Sequence, residues 1–261
     1  MLLYPQLLSG AIAQYPLRIS REMANAFNLQ EDGTRYLEVT TNPSTLRWQL
    51  TYQHLRRQEI DALRNFFEAT RGSLFTFTFL DPTGNLLHWS EDLLQPFWER
   101  SPELAVSPIA GNLVTSFELT TTGAGVAVLS QTVPCPSKAL LCFSLYARAD
   151  QVSEMTLAVR NTGSRAQTTF AVDADWKQYF VSQAGSGLAA ETTLDVSLSG
   201  NSRVQISRIS LSAQPAPASY VKTSQRTGIK PRTRFDQDTL LVTALGDDAF
   251  ACSVVLTTRL D

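Results

Sequence analysis

The chain has 261 residues, 43% of them hydrophobic, which is enough for one large core or for two domains of about 100 to 150 residues each. Its 22 basic and 24 acidic side chains give a formal net charge of -2, and no run of Lys or Arg forms a basic stripe. Sequence-specific nucleic acid binding is therefore not expected. No apolar stretch approaches the roughly 20 residues that cross a bilayer, and the N-terminus lacks a basic signal region, so we expect a soluble chain without a membrane span.

The N-terminal third predicts a strand, a helix and a second strand. Apolar residues alternate from Leu46 to Tyr52, which is the period of a half-buried strand. Residues 55–70 have the three- and four-residue apolar steps of an amphipathic helix, ended by Gly72. Phe75, Phe77 and Phe79 then alternate with threonines, and the turn residues 81–84 end that strand.

After Gly84 the chain becomes rich in Ser, Thr, Ala and Gly, and strands dominate. Alternation predicts strands at Leu141–Tyr146, Met155–Val159, Gln178–Ser182 and Leu194–Leu198, with glycine-containing turns between several of them. This pattern is typical of an antiparallel β-sandwich. From Val204 to Leu211 the alternation slips by one residue, which predicts a bulge or a bend where the strand changes partners.

Two prolines in the segment 214–218 predict a linker, because proline fixes the backbone and removes hydrogen-bond donors. Beyond it, strands are predicted at Thr239–Ala244 and Cys252–Thr258, on either side of a turn at 246–248. These last residues are too few for a core of their own. We therefore expect residues 1–84 and 215–261 to form one discontinuous domain, and residues 85–214 to be an inserted β-sandwich.

Metal, cofactor and catalytic signatures are not found. His54 and His88 lack metal-ligand spacing, and Cys135, Cys142 and Cys252 have no repeated C-x-x-C spacing, so core thiols are predicted. Gly185-Ser186-Gly187 lacks the strand-turn-helix setting of a hydrolase nucleophile. Acids that could in principle serve a glycosidase are present, but no pair is singled out among Glu118, Asp173, Asp175, Glu191 and Asp195. An enzyme is therefore not expected.

The aromatic residues of the insertion are candidates for carbohydrate binding, since sugar rings stack their apolar faces on Trp and Tyr. The candidates are Trp98, Tyr146, Trp176 and Tyr179, with core packing as the alternative for each of them. Asp247 and Asp248 could hold a cation, although adjacent acids in a turn usually face solvent.

Two groups of segments resemble known families. Trp48-x-Leu50-x-Tyr52, the helix with Phe66-Phe67, and Phe75-x-Phe77-x-Phe79 resemble the N-terminal domain of phage distal tail proteins and related minor tail proteins. Arg234-Phe235-Asp236 and Val254-Val255-Leu256 with Arg259 look like the closing strands of that β-barrel-like domain. Between these pieces, the inserted residues resemble jelly-roll carbohydrate-binding modules, at the segments 85–92, 97–98, 145–148, 176–179 and 204–223.

The resemblance implies a mainly β protein: a discontinuous β-barrel or sandwich-like domain with one α-helix, and an inserted jelly-roll β-sandwich. It implies a ring, expected to be a hexamer, at the virion tail tip, made in the host cytoplasm and joining the tail tube protein to hub and baseplate proteins. Neighbouring subunits would meet at the helix arginines, Arg56, Arg57, Arg64 and Arg71. The insertion would face outward and bind host cell-surface polysaccharide. A stand-alone lectin-like protein and a glycan hydrolase are the alternatives.

Overall fold

The computed structural model describes residues 2–23, 26–38, 44–109, 115–185, 187 and 189–260. Within them the chain has eighteen strands and one helix, arranged in two compact units. Unit 1 comprises Met1–Leu7, Ala13–Phe79 and Lys230–Asp261, and unit 2 comprises Leu8–Ile12 and Leu80–Ile229. The expected domain boundaries, at 84/85 and 214/215, therefore differ from the observed ones at 79/80 and 229/230.

Unit 1 is built on an open six-stranded sheet. Its order is β1 (Arg18–Glu22), β4 (Ser44–Leu55), β18 (Ala249–Leu260), β16 (Ile229–Phe235) and β5 (Phe77–Leu80), with β17 (Val242–Gly246) also paired to β18. The expected barrel-like closure is wrong, because β1 and β5 end the sheet on opposite sides and do not pair with each other. The strands β2 (Ala26–Leu29) and β3 (Arg35–Glu38) form a separate two-stranded ribbon.

The single helix, α1 (Arg57–Thr70), follows β4 directly. The Glu59 carboxylate accepts a hydrogen bond from the Arg56 backbone N–H (2.9 Å), which satisfies one of the donors left open at a helix start. Arg71 and Gly72 have left-handed φ values of 51° and 62°, and their N–H groups close the last turn onto Glu68 and Phe67. The helix prediction is confirmed, apart from Leu55, which ends β4, and Arg56, which precedes the first helical residue.

An aromatic cluster forms the core of unit 1. Phe66 of the helix lies 4.9 Å from the Phe77 ring, and Phe67 lies 4.9 Å from the Phe235 ring. The helix therefore covers the face of the sheet that carries the buried side chains of β4, such as Trp48. Phe75 is exposed and precedes β5, so the predicted strand begins two residues later than its aromatic pattern suggested.

Unit 2 is a two-layered sandwich of jelly-roll type, as predicted. The front sheet has the order β13 (Lys177–Gln183), β10 (Leu141–Arg148), β15 (Arg203–Ser212), β8 (Ser116–Thr121) and β7 (Leu104–Ile109). The back sheet has the order β12 (Ser164–Val172), β11 (Ser153–Asn161), β14 (Thr192–Leu198), β9 (Ala127–Val133) and β6 (Glu99–Arg100). Inward side chains such as Phe143, Leu157, Val196 and Leu211 are fully or almost fully buried between the sheets.

The slip predicted between Val204 and Leu211 is a β-bulge. The pairing of β10 with β15 shifts between Ser207 and Ser210, so Arg208 and Ile209 together face Leu145. Arg208 takes a left-handed φ of 51° there. The strand does not exchange partners as expected: its pairing with β8 ends at Ser207, while its pairing with β10 continues on the other side.

The proline-containing segment expected to be an interdomain linker packs on unit 2. Its prolines keep it out of the sheets, but backbone carbonyls of this segment and of the residues that follow it accept hydrogen bonds from side chains of the sandwich. The Ser182 hydroxyl donates to the Pro215 carbonyl (2.7 Å), and the buried Asn85 amide donates to the Val221 carbonyl (3.2 Å). The proline pattern thus marks an irregular segment rather than a boundary.

The three cysteines carry free, buried thiols, and burial raises the pKa of Cys135 to about 12 and that of Cys252 to about 11. Within the described ranges, no helix is long and apolar enough to cross a membrane.

Candidate functional site

A groove of about 630 Å³ lies on the outer face of the front sheet of unit 2. Its floor comes from β10, β13 and β15, and its wall comes from the segment after β15. The lining residues are Glu91, Ser144, Tyr146, Gln178, Arg208, Ser210, Pro217, Ala218, Ser219 and Tyr220. The groove is open, mostly polar, and contains two tyrosine rings.

Strand alternation and the bulge together place the floor residues. Tyr146 is paired with Gln178 on one side and with Ser207 on the other, so the three side chains lie in one row across the sheet. Regular alternation would send residue 208 inward, since Val204 and Ile206 are buried. The extra residue of the bulge turns Arg208 outward instead and keeps Ile209 in the core.

Arg208 and Tyr146 form a cation-π pair at the centre of the floor. The guanidinium carbon of Arg208 lies 5.3 Å from the centroid of the Tyr146 ring. A non-glycine residue with positive φ costs roughly 1–2 kcal/mol and persists only where the surroundings impose it. Such positions are frequent at binding sites, where a bulge re-aims a side chain.

Hydrogen bonds to Ser90 hold the wall of the groove. The Ser90 hydroxyl lies 3.0 Å from the Tyr220 hydroxyl and accepts a bond from the Thr223 N–H (2.9 Å). Below the wall, the Asn85 amide binds the Ile209 carbonyl (2.9 Å) and accepts from the Leu211 N–H (3.0 Å). One buried asparagine therefore fixes the bulged strand and, through Val221, the wall segment.

The chemistry of the groove suits a neutral ligand rich in hydroxyl groups. Burial raises the pKa of Tyr220 to about 12, so its hydroxyl stays protonated near neutral pH. Arg208 and Gln178 supply N–H donors, and Glu91 and the serine hydroxyls supply acceptors. Glu91 is the only carboxylate among the described lining residues, whereas glycosidases ordinarily act with two.

Two exposed aromatic side chains lie along the edge strand of the same sheet. Trp176 immediately precedes β13 and is 39% exposed, and Phe180 of β13 is 46% exposed. The Arg148 guanidinium lies 5.5 Å from the Trp176 ring and is held by the Gln205 side chain (2.9 Å). At about 3.3 Å per residue, the two aromatics are about 13 Å apart along the strand.

The four predicted carbohydrate contacts divide into two pairs. Tyr146 lines the groove, and Trp176 is exposed near it. Trp98 and Tyr179 are only 3% and 8% exposed, and their burial argues against the predicted contact with sugar. The Trp98 indole N–H donates to the Trp89 carbonyl (3.1 Å), and the Tyr179 ring packs 5.1 Å from Phe170, so both belong to the core.

The predicted assembly arginines are exposed on unit 1, and none of them is among the groove-lining residues. Arg57 lies over the Phe250 ring (4.8 Å) and Arg71 over the Phe75 ring (5.8 Å). Arg64 lies 3.6 Å from the Asp61 carboxylate within the helix, and Arg56 precedes the first helical turn. Their part in subunit contacts stays a prediction.

Three of the five acids considered for catalysis form ion pairs with basic side chains. Asp195 binds Arg160 (2.7 Å), Glu118 binds Arg203 (2.7 Å), and Asp173 binds Lys177. In the part of the chain that the structure describes, no group of three or more His, Cys, Asp or Glu side chains could hold a metal ion.

Most of the polar lining was not predicted from the sequence. Arg208, Gln178, Glu91 and Tyr220 were not proposed as site residues, although all four line the groove. The phase slip was the one signal that pointed to Arg208, because a bulge in an otherwise regular strand often marks a functional position.

No protein-family model matches the chain, and no curated protein matches it. Among solved structures, a similar one is the enzymatically active domain of tailspike protein 4 of bacteriophage CBA120, at 15% identity and a TM-score of 0.42, covering 51% of this chain and 22% of that one. Another is TmCBM61 in complex with β-1,4-galactotriose, at 14% identity and a TM-score of 0.40, covering 50% and 99%. A third is the CBM22-1 xylan-binding domain of Paenibacillus barcinonensis Xyn10C, at 12% identity and a TM-score of 0.42, covering 51% and 96%.

Proposed function

We propose that unit 2 is a non-catalytic carbohydrate-binding module whose ligand lies in the front-sheet groove. The observation that carries the proposal is the outward Arg208, stacked on Tyr146 and placed there by a bulge. An aromatic ring offers an apolar surface to one face of a sugar ring, while the surrounding N–H and O–H groups bind its hydroxyls.

The layout favours a short stretch of a glycan chain over a single sugar. The groove is open at the surface and is continued by Trp176 and Phe180 at the sheet edge. Several shallow contacts in a row suit an extended, neutral oligosaccharide. Each contact is weak, so the isolated module is expected to bind with modest affinity.

A polysaccharide screen tests the proposal. The full chain is run by affinity electrophoresis through gels containing lipopolysaccharide, capsular polysaccharide, β-1,4-galactan or xylan. We expect retardation in at least one gel, loss of retardation for Tyr146→Ala, and unchanged retardation for Phe97→Ala. Phe97 is a suitable control because it is an exposed aromatic of the same unit outside the groove lining. Equal retardation of both variants would contradict the groove assignment, and release of reducing ends would contradict the non-enzymatic role.

For unit 1 we propose an assembly role, as a ring component of a phage tail tip that carries unit 2 as a binding module. Support comes from the sequence resemblance at Trp48–Phe79 and Arg234–Arg259, and from the exposed arginines of α1. A ring of several copies would multiply weak glycan contacts into useful avidity. Light scattering and negative-stain imaging test this role: rings with peripheral lobes support it. A chain that stays monomeric even with its tail partners favours a stand-alone lectin-like protein.

A further inference from the structure

A basic cleft of about 500 Å³ lies on the face of the unit 1 sheet opposite the helix. Three of its lining residues are arginines, contributed by β16 and β18. The lining residues are Thr45, Thr76, Arg232, Arg234, Asp236, Thr257, Thr258 and Arg259. The other lining residues are four threonines and one acid, Asp236, so the arginines outnumber the acids and the cleft is suited to an anionic ligand.

Cross-strand register explains why the positive charges gather there. Arg234 is paired with Thr257, and Arg259 is paired with Thr45, so uncharged partners separate the arginines on one face. The one acid in the cleft, Asp236, is bound by Arg47 of β4. Within the described residues, Arg234 and Arg259 form no ion pair, which leaves two cations without a counter-charge.

The β2–β3 ribbon of the same unit has the complementary properties. It pairs with no other described strand, and an isolated two-stranded ribbon is marginally stable in water. Residues 29–34 at its tip are all exposed, and they include Leu29, Glu31 and Asp32. The ribbon therefore presents two carboxylates and an apolar side chain that the rest of its own unit does not cover.

The tip has a defined turn geometry. The Gly33 N–H donates to the Gln30 carbonyl (3.0 Å), and the Gln30 N–H donates to the Thr34 carbonyl (2.9 Å). Gly33 has a φ of 83°, a conformation that favours glycine. The Asp32 carboxylate accepts the Thr34 N–H (2.8 Å), and this bond lowers the pKa of Asp32. Both acidic side chains thus project from a turn with a defined hydrogen-bond pattern.

We propose that the acidic ribbon tip of one copy of this chain docks into the basic cleft of a neighbouring copy. The inference rests on the proposed assembly of unit 1 and deepens it by naming the contact. An arginine guanidinium can bind one carboxylate through two parallel N–H···O hydrogen bonds. Two arginines, Arg234 and Arg259, therefore match the two carboxylates of Glu31 and Asp32 in number. A contact between two different surfaces of the same chain is heterologous and generates a ring where the rotation closes.

A nucleic acid is a poorer occupant of the cleft. The carboxylates of Asp236 and Glu22 both bind Arg47 at the margin of the cleft, where they would repel a phosphate backbone. Asp236 would repel either ligand, but a compact tip with two carboxylates need not extend along the sheet to Glu22, as a continuous phosphate backbone would. The β2–β3 ribbon of this chain supplies such a tip. Because residues 29–34 are exposed, the tip does not occupy the cleft of its own copy.

Charge reversal on both surfaces tests the contact. Variant A carries Glu31→Lys and Asp32→Lys, and variant B carries Arg234→Glu and Arg259→Glu. We expect the wild-type full chain to associate in sedimentation velocity, and each variant alone to associate at least about tenfold more weakly, as for truncated interfacial charge pairs. An equimolar mixture of A and B should associate again, since each tip then meets a cleft of opposite charge.

The control variant Glu103→Lys with Glu154→Lys reverses two exposed acids of unit 2 and makes the same change of net charge as variant A. It should associate like the wild type. A wild-type chain that never associates contradicts the proposed assembly itself. Association that persists in A and B, or that the mixture fails to restore, refutes the ribbon contact alone. Tight binding of duplex DNA to the wild type, lost in B, would assign the cleft to nucleic acid and overturn the inference.

Discussion

The substitution Asn85→Ala should destabilise unit 2 more than the loss of one small side chain suggests. The Asn85 amide is buried and makes four hydrogen bonds to backbone groups. They join it to the Ile209 and Val221 carbonyls (2.9 and 3.2 Å) and to the Leu87 and Leu211 N–H groups (3.1 and 3.0 Å). Each buried group left without a partner costs about 1–3 kcal/mol. Four such backbone groups at the lower value of about 1 kcal/mol each give a loss of about 4 kcal/mol.

Thermal unfolding followed by tryptophan fluorescence measures this effect. For a unit of this size, about 4 kcal/mol corresponds to a Tm lowered by roughly 8–16 °C. Trp48 lies in unit 1 and the other tryptophans lie in unit 2, so the transition of unit 2 dominates the signal. Glycan binding should weaken as well, because Asn85 holds the wall of the groove.

The matched control is Asn161→Ala, at the last residue of β11 before the turn to β12. Asn161 accepts bonds from the Gly163 and Ser164 N–H groups (3.1 Å each), but solvent can replace it there. We expect a loss below about 1 kcal/mol for this variant. If Asn85→Ala lowers the Tm no more than Asn161→Ala, the reasoning from buried backbone partners is refuted.

Three further predictions concern the groove and the buried ionisable groups. Arg208→Gly should leave unit 2 as stable as the wild type, or up to about 1–2 kcal/mol more stable in urea unfolding, since glycine tolerates the left-handed φ. Glycan binding by this variant should weaken. A clear loss of stability would contradict backbone strain at this position. The raised pKa of Tyr220, about 12, means that the folded state keeps a proton that the unfolded chain releases near its ordinary pKa of about 10. The free energy of unfolding should therefore fall as pH rises from about 10 to about 12, and unfolding curves of Tyr220→Phe should show a shallower fall. The native thiols Cys135 and Cys252 should resist a water-soluble thiol reagent at mildly alkaline pH and react after unfolding; rapid native labelling would contradict their burial.

Periodicity in the sequence predicted the positions of the strands and the helix better than it predicted which parts of the chain they pack against. Alternating apolar residues gave the position of β4, β10 and β14, and the slip near Ile206 gave the bulge, because these patterns are local consequences of a strand with one buried face. The prolines at 215 and 217 excluded a strand but could not indicate what the segment packs against.

The candidate site was harder to predict, since aromatic identity does not report which face a side chain takes. Tyr179 was grouped with Tyr146, yet in β13 it alternates inward while Gln178 and Phe180 face outward. The polar lining joins residues far apart in sequence, from Glu91 to Tyr220, and only antiparallel pairing brings them together.

Calorimetric titration of the full chain with an oligosaccharide from the retarding polysaccharide tests the carbohydrate-binding groove most directly. If a sugar covers about 80 Å² of the Tyr146 ring, its removal costs about 2 kcal/mol at about 25 cal/mol per Å², or roughly a thirtyfold weaker Kd. We predict this loss for Tyr146→Ala, a smaller one for Tyr146→Phe, and none for Phe97→Ala. A Kd unchanged by Tyr146→Ala would contradict the account and place the ligand elsewhere.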